Sequence, residues 1–177
     1  LTGGIATGKS TADQFFEKKN IPIVDCDKIA HALMEPKNAT WQAIKDNFGE
    51  EYLNSDQMIN RKKLGQLVFS NKSALNRLNQ LTHPLIFDKT IQKIESYQNE
   101  DMVILDAPVY FESGWDKKNI ADGILVITLP ETVQIDRLKQ RNNLTYEEAR
   151  MRIKSQIPLD KKIQLADFVI ENTGTIK

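Results

Sequence analysis

Gly3-Gly4-Ile5-Ala6-Thr7-Gly8-Lys9-Ser10 is the stretch whose reading decides the fold. It fills every fixed position of G-x-x-x-x-G-K-[ST]. It also stands between a strand stub, Leu1-Thr2, and residues 9–19, which read as a helix with Phe15 and Phe16 turned to the core. Chemistry explains the spacing. Glycines let the backbone curl so that successive N–H groups point inward at phosphate oxygens. The following helix aims its positive N-terminal end at the same anion. The Lys9 ammonium, expected to face solvent in the empty site, suits the β- and γ-phosphates, and the Ser10 hydroxyl suits Mg2+. Thr11 is placed for one more phosphate contact. Gly4, Ile5, Ala6, Thr7, Gly8, Lys9, Ser10 and Thr11 are thus the expected ATP contacts.

Outward from this loop, strand and helix alternate as in a parallel α/β sheet. Residues 21–25, 102–106, 123–129 and 168–170 read as strands, the third and second of these as buried apolar runs. Residues 131–140 and 145–156 carry helical spacing, and Thr145 with Glu148 three residues on forms a capping-box pattern. Residues 28–99 break the rhythm. They read as three or four helices punctuated by Pro36, Gly49 and His83-Pro84. That is far more chain than one crossover needs, so a helical insertion is expected over the C-terminal edge of the sheet, where such folds bind ligands.

With 177 residues, 40% apolar and 27% charged, the composition is that of one ordinary globular domain. The formal net charge is zero, which argues against a nucleic-acid partner. The one cysteine, Cys26, cannot form an intrachain disulfide, which fits a reducing compartment such as the cytoplasm. The longest apolar runs are too short to span a bilayer. Because the chain opens at Leu1 inside a strand, a few preceding residues are expected.

Three further groups carry chemistry. Asp25-Cys26-Asp27 ends the second strand. One of these carboxylates is a candidate acceptor of a substrate hydroxyl proton; Asp27 also reads as the N-cap of a helix over residues 28–34. An ordinary carboxylate, with a pKa of about 4, is a weak base in water. Phosphoryl transfer is loose and needs the proton removed only late, so positioning counts for more. Asp106 ends an apolar strand as a Mg2+-holding carboxylate would, or as a turn cap. Arg137, Arg141, Arg150 and Arg152 surround Asn142-Asn143-Leu144 as on a lid that closes on phosphates. The plainer reading is a solvated face paired with Glu147 and Glu148.

The ordered series LTGGIATGKST, DCDKIAH, THPLI, ILDAPVYFE, RLKQR with TYEEARMRI and Q, and ADFVIENTG resembles the dephospho-CoA kinases from residue 1 to about 174. The resemblance implies a P-loop NTPase fold with a five-stranded parallel sheet flanked by helices. It divides the single domain into a core, 1–27 and 101–177, a helical CoA-binding insertion, about 28–100, and a lid, about 138–160. It implies ATP and Mg2+, with metal contacts from Ser10 and Asp106, and a monomer or small homo-oligomer. It makes Asp27 the base facing the ribose 3′-hydroxyl of dephospho-coenzyme A, with Lys9 and Arg141 as its catalytic partners and Arg137 beside the nucleotide. Asp25, Arg61 and His83 fall on the acceptor side. For Arg61 a solvated helix charge, and for His83 a helix-start or core histidine, are equally open. Asn172 and Gly174 shape the turn beside adenine or form an ordinary strand-end turn. Trp41 and Trp115 read as core. The family also continues past the position of Lys177 into a C-terminal helix.

Two other classes fit less well. A nucleoside monophosphate or sugar-acid kinase would need a different insertion. A regulatory GTPase would need D-x-x-G after the third strand and N-K-x-D for guanine. Here Asp106-Ala107-Pro108-Val109 lacks the glycine, and Asn71-Lys72-Ser73-Ala74 lacks the aspartate.

Overall fold

The computed structural model describes residues 1–174, with every side chain but that of Phe69; the end of the expected core, 175–177, lies outside the described residues. Its elements run β1 (Thr2–Gly3), α1 (Lys9–Lys18), β2 (Ile23–Asp25), α2 (Cys26–Leu33), α3 (Ala39–Phe48), α4 (Arg61–Ser70), α5 (Lys72–Glu95), β3 (Ile104–Asp106), β4 (Leu125–Thr128), α6 (Glu131–Asn142), α7 (Tyr146–Lys154), α8 (Leu159–Gln164) and β5 (Phe168–Glu171). The chain divides into two compact units, residues 25–99 and the remainder.

In the larger unit β4 is central. Val126 and Ile127 are almost fully buried, and β4 pairs in parallel with β1 on one side and β5 on the other. Thr2 stands opposite Val126, and Val126 opposite Val169. The expected five-stranded sheet is not formed as one ladder. The strands make a three-stranded sheet, β1-β4-β5, and a two-stranded one, β2-β3. The physical reason is the brevity of β1. The backbone bonds toward β3 come from Leu1: its amino group donates to the Leu105 carbonyl at 2.7 Å, and its carbonyl accepts from the Ala107 N–H at 3.0 Å. Those two bonds bridge the sheets without extending into a ladder. A second core gathers Ile135 and Leu138 of α6 with Ala149 of α7, joined by Ile5, Ala6, Leu144 and Ile153. Packing under the phosphate loop is thereby supplied by α6 and α7. Phe15 departs from expectation: it is exposed, beneath the Lys19 ammonium at 5.9 Å, while Phe16 is half-buried.

The smaller unit is built mainly of helices. Trp41 and Ile44 of α3, Ile59, and Leu64 and Val68 of α4 form its core, with Phe48, Tyr52 and Leu78 packed around them. Burying Ile44 completely stabilises the unit by roughly 1.5–3 kcal/mol. The Trp41 indole N–H also donates to the Gln57 carbonyl at 2.7 Å, so its polar edge is satisfied in the core. Gly49 ends α3 at φ 100°, as a helix terminator. Pro84 does not end a helix; it lies inside the 24-residue α5.

Candidate active site

The phosphate loop is built as the motif requires. Gly8 caps α1 at φ 91°, and a Cβ there would run into the Asn172 amide and press on the Arg137 guanidinium. The α1 N-terminus has no side-chain cap and no acidic residue in its first turn, so its N–H groups and positive end remain available to an anion. Ala6 holds φ 60°, a left-handed conformation that a non-glycine residue keeps only where its surroundings fix it. The loop is fixed from within by Thr7, whose buried hydroxyl donates to the Gly4 carbonyl at 2.9 Å.

Several distant residues converge on the loop. The Asn172 amide donates to the Thr7 carbonyl at 2.9 Å. Arg137 reaches the carbonyls of Ala6 and Asn172, each at 3.4 Å, from the buried side of α6. Lys9 does not face solvent as expected. Its ammonium stands 2.5 Å from both oxygens of Asp106, hydrogen-bonding Oδ2 and leaving the buried Oδ1 without a hydrogen bond. Asp106 itself is 4% exposed. Among the described residues no group of three His, Cys, Asp or Glu could hold a metal ion alone. The oxygen donors Ser10 and Asp106, the latter's carboxylate now held by the Lys9 ammonium, nevertheless fit Mg2+ by their chemistry, since that ion keeps most of its shell as water and substrate phosphate. A cleft of about 840 Å³ opens beside Gly4, walled by Pro130, Gln134, Ile153, Ile157 and Leu159.

Arg141 ends α6 exposed, its Nε donating to the Asn142 side chain at 3.0 Å. Among the described residues no hydrogen bond or ion pair joins it to the loop. Arg150 lies 4.0 Å from Glu131, rather than on Glu147. Gly174 is exposed, and space for a Cβ is open around it.

In the helical unit, the cap of α2 is Asp25 and not Asp27. The helix starts at Cys26, two residues earlier than expected, and the Asp25 carboxylate accepts from the Lys28 N–H at 3.0 Å. Asp27 is thereby in the first helical turn, exposed. Arg61, at the start of α4, lies 2.8 Å from Nε2 of His31 on α2. His83 is half-buried on α5, and burial pushes its imidazole below the ordinary 6.5.

Sequence reasoning gives no role at the loop to Gln156 or Lys162, and reads Glu112 as a packing and lid-hinge contact. Gln156 Oε1 accepts from the Ile5 N–H at 2.8 Å. Lys162, fully buried, donates to the Gly3 carbonyl at 3.2 Å and pairs with Glu112 at 2.7 Å. The signal for α8, which carries Lys162, was Pro158 ahead of Leu159-Asp160, a helix-start pattern.

The family model described as dephospho-CoA kinase matches residues 1–177. The dephospho-CoA kinase of Lactobacillus acidophilus is 81% identical over 177 residues, all of this chain and 88% of that one. The crystal structure of TT1252 from Thermus thermophilus superposes with a TM-score of 0.85 at 29% identity, over 98% of this chain and 87% of that one. The dephospho-CoA kinase of Campylobacter jejuni superposes with a TM-score of 0.70 at 32% identity, over the same shares. With its family model matched from end to end, the chain belongs to the dephospho-CoA kinase family.

Proposed function

We propose that this kinase transfers the γ-phosphoryl group of ATP to the ribose 3′-hydroxyl of dephospho-coenzyme A, giving coenzyme A and ADP in the last step of coenzyme A biosynthesis. The carrying observation is the phosphate loop itself: an uncapped α1 N-terminus, with Lys9, Arg137 and Asn172 gathered on the loop. The fold is read as a P-loop NTPase core, 1–27 and 101–177, with a CoA-binding insertion at about 28–100 and a lid at about 138–160.

Each residue has a chemical role in this reading. The loop N–H groups and the α1 dipole hold the triphosphate. Lys9 leaves Asp106 for the β- and γ-phosphates, an exchange of one anion for another. Ser10 and Asp106 would hold Mg2+, and the ion would supply neutralisation of phosphate charge. Asp27 orients the 3′-hydroxyl and takes its proton as the new P–O bond forms and the bond to ADP breaks. Arg141 meets the moving phosphoryl charge when the lid closes, and Arg137 holds the loop from the nucleotide side. Asn172 and Gly174 shape the adenine end. Asp25, Arg61 and His83 serve the acceptor. Among the described residues no helix is long and apolar enough to cross a membrane. The single buried cysteine and zero net charge favour a cytoplasmic enzyme without a nucleic-acid partner, as a monomer or small homo-oligomer.

The test is ADP release with dephospho-coenzyme A, AMP, CMP and gluconate offered separately. Turnover is expected with dephospho-coenzyme A well above the other three. Faster turnover with a nucleoside monophosphate or with gluconate would overturn the assignment of the acceptor.

A further inference from the structure

Residues 156–162 meet the phosphate loop at three successive residues. Gln156 Oε1 accepts from the Ile5 N–H at 2.8 Å. The Leu159 side chain closes on Gly4, where a Cβ would lie 3.5 Å from it. Lys162 Nζ donates to the Gly3 carbonyl at 3.2 Å. The same ammonium holds Glu112 Oε1 at 2.7 Å, and that oxygen also accepts from the Ile157 N–H at 3.2 Å. Lys162 is 0% exposed. A fully buried ammonium carries a large desolvation cost, and an apolar side chain of similar volume would fill the space without it. What the ammonium adds is a directed bond to the peptide that opens the phosphate loop.

From this geometry we propose that Gln156 and Lys162 are positioning residues for phosphoryl transfer. Lys162 fixes the Gly3 carbonyl and, through Glu112, the backbone at Ile157. That in turn seats Gln156 on Ile5. By taking up the Ile5 N–H, Gln156 sets which loop N–H groups stay turned to the phosphates and holds them at the spacing that the transition state needs. Neither side chain touches the reacting atoms. The effect belongs to the ATP side, because both side chains act on the loop and neither on the helical unit's residues.

The inference rests on the kinase reading, and the experiment separates the two. Steady-state rates with ATP and dephospho-coenzyme A, ATP affinity by calorimetry and thermal unfolding are measured for wild type, Gln156→Ala, Gln156→Glu, Lys162→Met and Lys162→Arg. Gln156→Ala is expected to lose about tenfold in kcat/KM for ATP, the scale of one directed hydrogen bond, with the KM for dephospho-coenzyme A unchanged. Its melting temperature should stay near wild type, because Gln156 is only half-buried. Gln156→Glu keeps the acceptor but sets a negative charge beside the phosphates. Its loss should exceed that of the alanine variant and shrink as salt is raised. Lys162→Met should show the same ATP-side loss, partly rescued by Lys162→Arg. If Lys162→Met does not fold, the two Gln156 variants decide alone. Wild-type ATP kinetics in Gln156→Ala, or a raised KM for dephospho-coenzyme A with ATP affinity unchanged, overturns the inference while the kinase reading stands. A wild-type enzyme that makes no ADP with dephospho-coenzyme A sinks both.

Discussion

The Asp25 carboxylate closes the first turn of α2, so the N-cap duty is not Asp27's. Substitution separates the two. Asp25→Ala should cost about 1 kcal/mol in urea unfolding, whereas Asp25→Asn should cost little, because asparagine caps as well as aspartate. Asp27→Asn should leave unfolding unchanged and ATP bound, yet lower kcat by about 10²- to 10⁴-fold, the usual contribution of a general base. A fully active Asp27→Asn enzyme would remove it as the base. Lys9 carries two loads. Lys9→Ala strips charge from the migrating phosphoryl group and should cost about 10²- to 10³-fold in single-turnover rate. It also strands the buried Asp106 carboxylate, which destabilises the fold. Discounted for the partial exposure of Lys9, that cost is about 1–3 kcal/mol. Adding Asp106→Asn should restore much of the stability and none of the activity, a coupling that a double-mutant cycle reads directly. At this scale the phosphate loop was legible because all its information lies in eight consecutive residues. The Lys9–Asp106, Lys162–Glu112 and Arg61–His31 pairs were not, because they join residues 97, 50 and 30 positions apart and no local pattern encodes them.

At the scale of elements, α6 and α7 form a helical hairpin whose turn carries Asn143 at φ 51°. Arg141 ends α6 in solvent, bonded only to its neighbour's side chain in this conformation. Arg141→Ala should therefore leave ATP affinity nearly unchanged and cut kcat heavily, because the guanidinium meets phosphate only on closure. An equal loss in both would place it in the ground-state site instead. The α7 capping box is complete: Thr145 Oγ1 accepts from the Glu148 N–H, and Glu148 Oε2 accepts from the Thr145 N–H. The backbone bond from Thr145, then its hydroxyl, hold the Glu148 carboxyl below its ordinary 4.5. A depressed acid contributes stability that is present above the unfolded value and lost as pH falls through the lower folded one. Protection of the α7 amides, taken relative to the intrinsic exchange rate at each pH, should thus fall below about pH 4.5, and Glu148→Ala should lower it at neutral pH already. His83 has the same sign for another reason. Burial keeps it neutral, so the unfolded chain binds its proton first, and the helical unit should lose stability as pH drops below 6.5. The capping box was readable because it spans four residues. The start of α2 was misread because Asp25 and Asp27 are both good capping residues, and the choice shows only in the Asp25 bond to the Lys28 N–H.

On the whole-molecule scale the five described strands were legible, β1 as a stub before the phosphate loop and the others as short apolar runs, and their joining was not: β1 is too short to carry a ladder to β3. The two units draw on separate cores. Trp41, Ile44 and Leu64 stabilise residues 25–99, while Val126, Ile127 and Leu138 stabilise the rest. Under the proposed roles each substrate also has its own unit, with ATP on the phosphate loop and the acceptor on the helical unit. A ligand stabilises the state that it binds by RT ln(1 + [L]/Kd), about 2.7 kcal/mol at a hundredfold excess over Kd. Protection from hydrogen exchange should therefore divide by unit. ATP with Mg2+ should slow exchange in α1, α6 and β4, where the loop and its supports lie. Dephospho-coenzyme A alone should slow α2, α4 and the middle of α5, around Asp27, Arg61 and His83. The two patterns discriminate because a misassigned acceptor region leaves a clear trace. If dephospho-coenzyme A protected only residues outside 25–99, the helical unit would not be its binding surface. Asp25, Arg61 and His83 would then lose their assignment, while the phosphate loop and ATP would keep theirs.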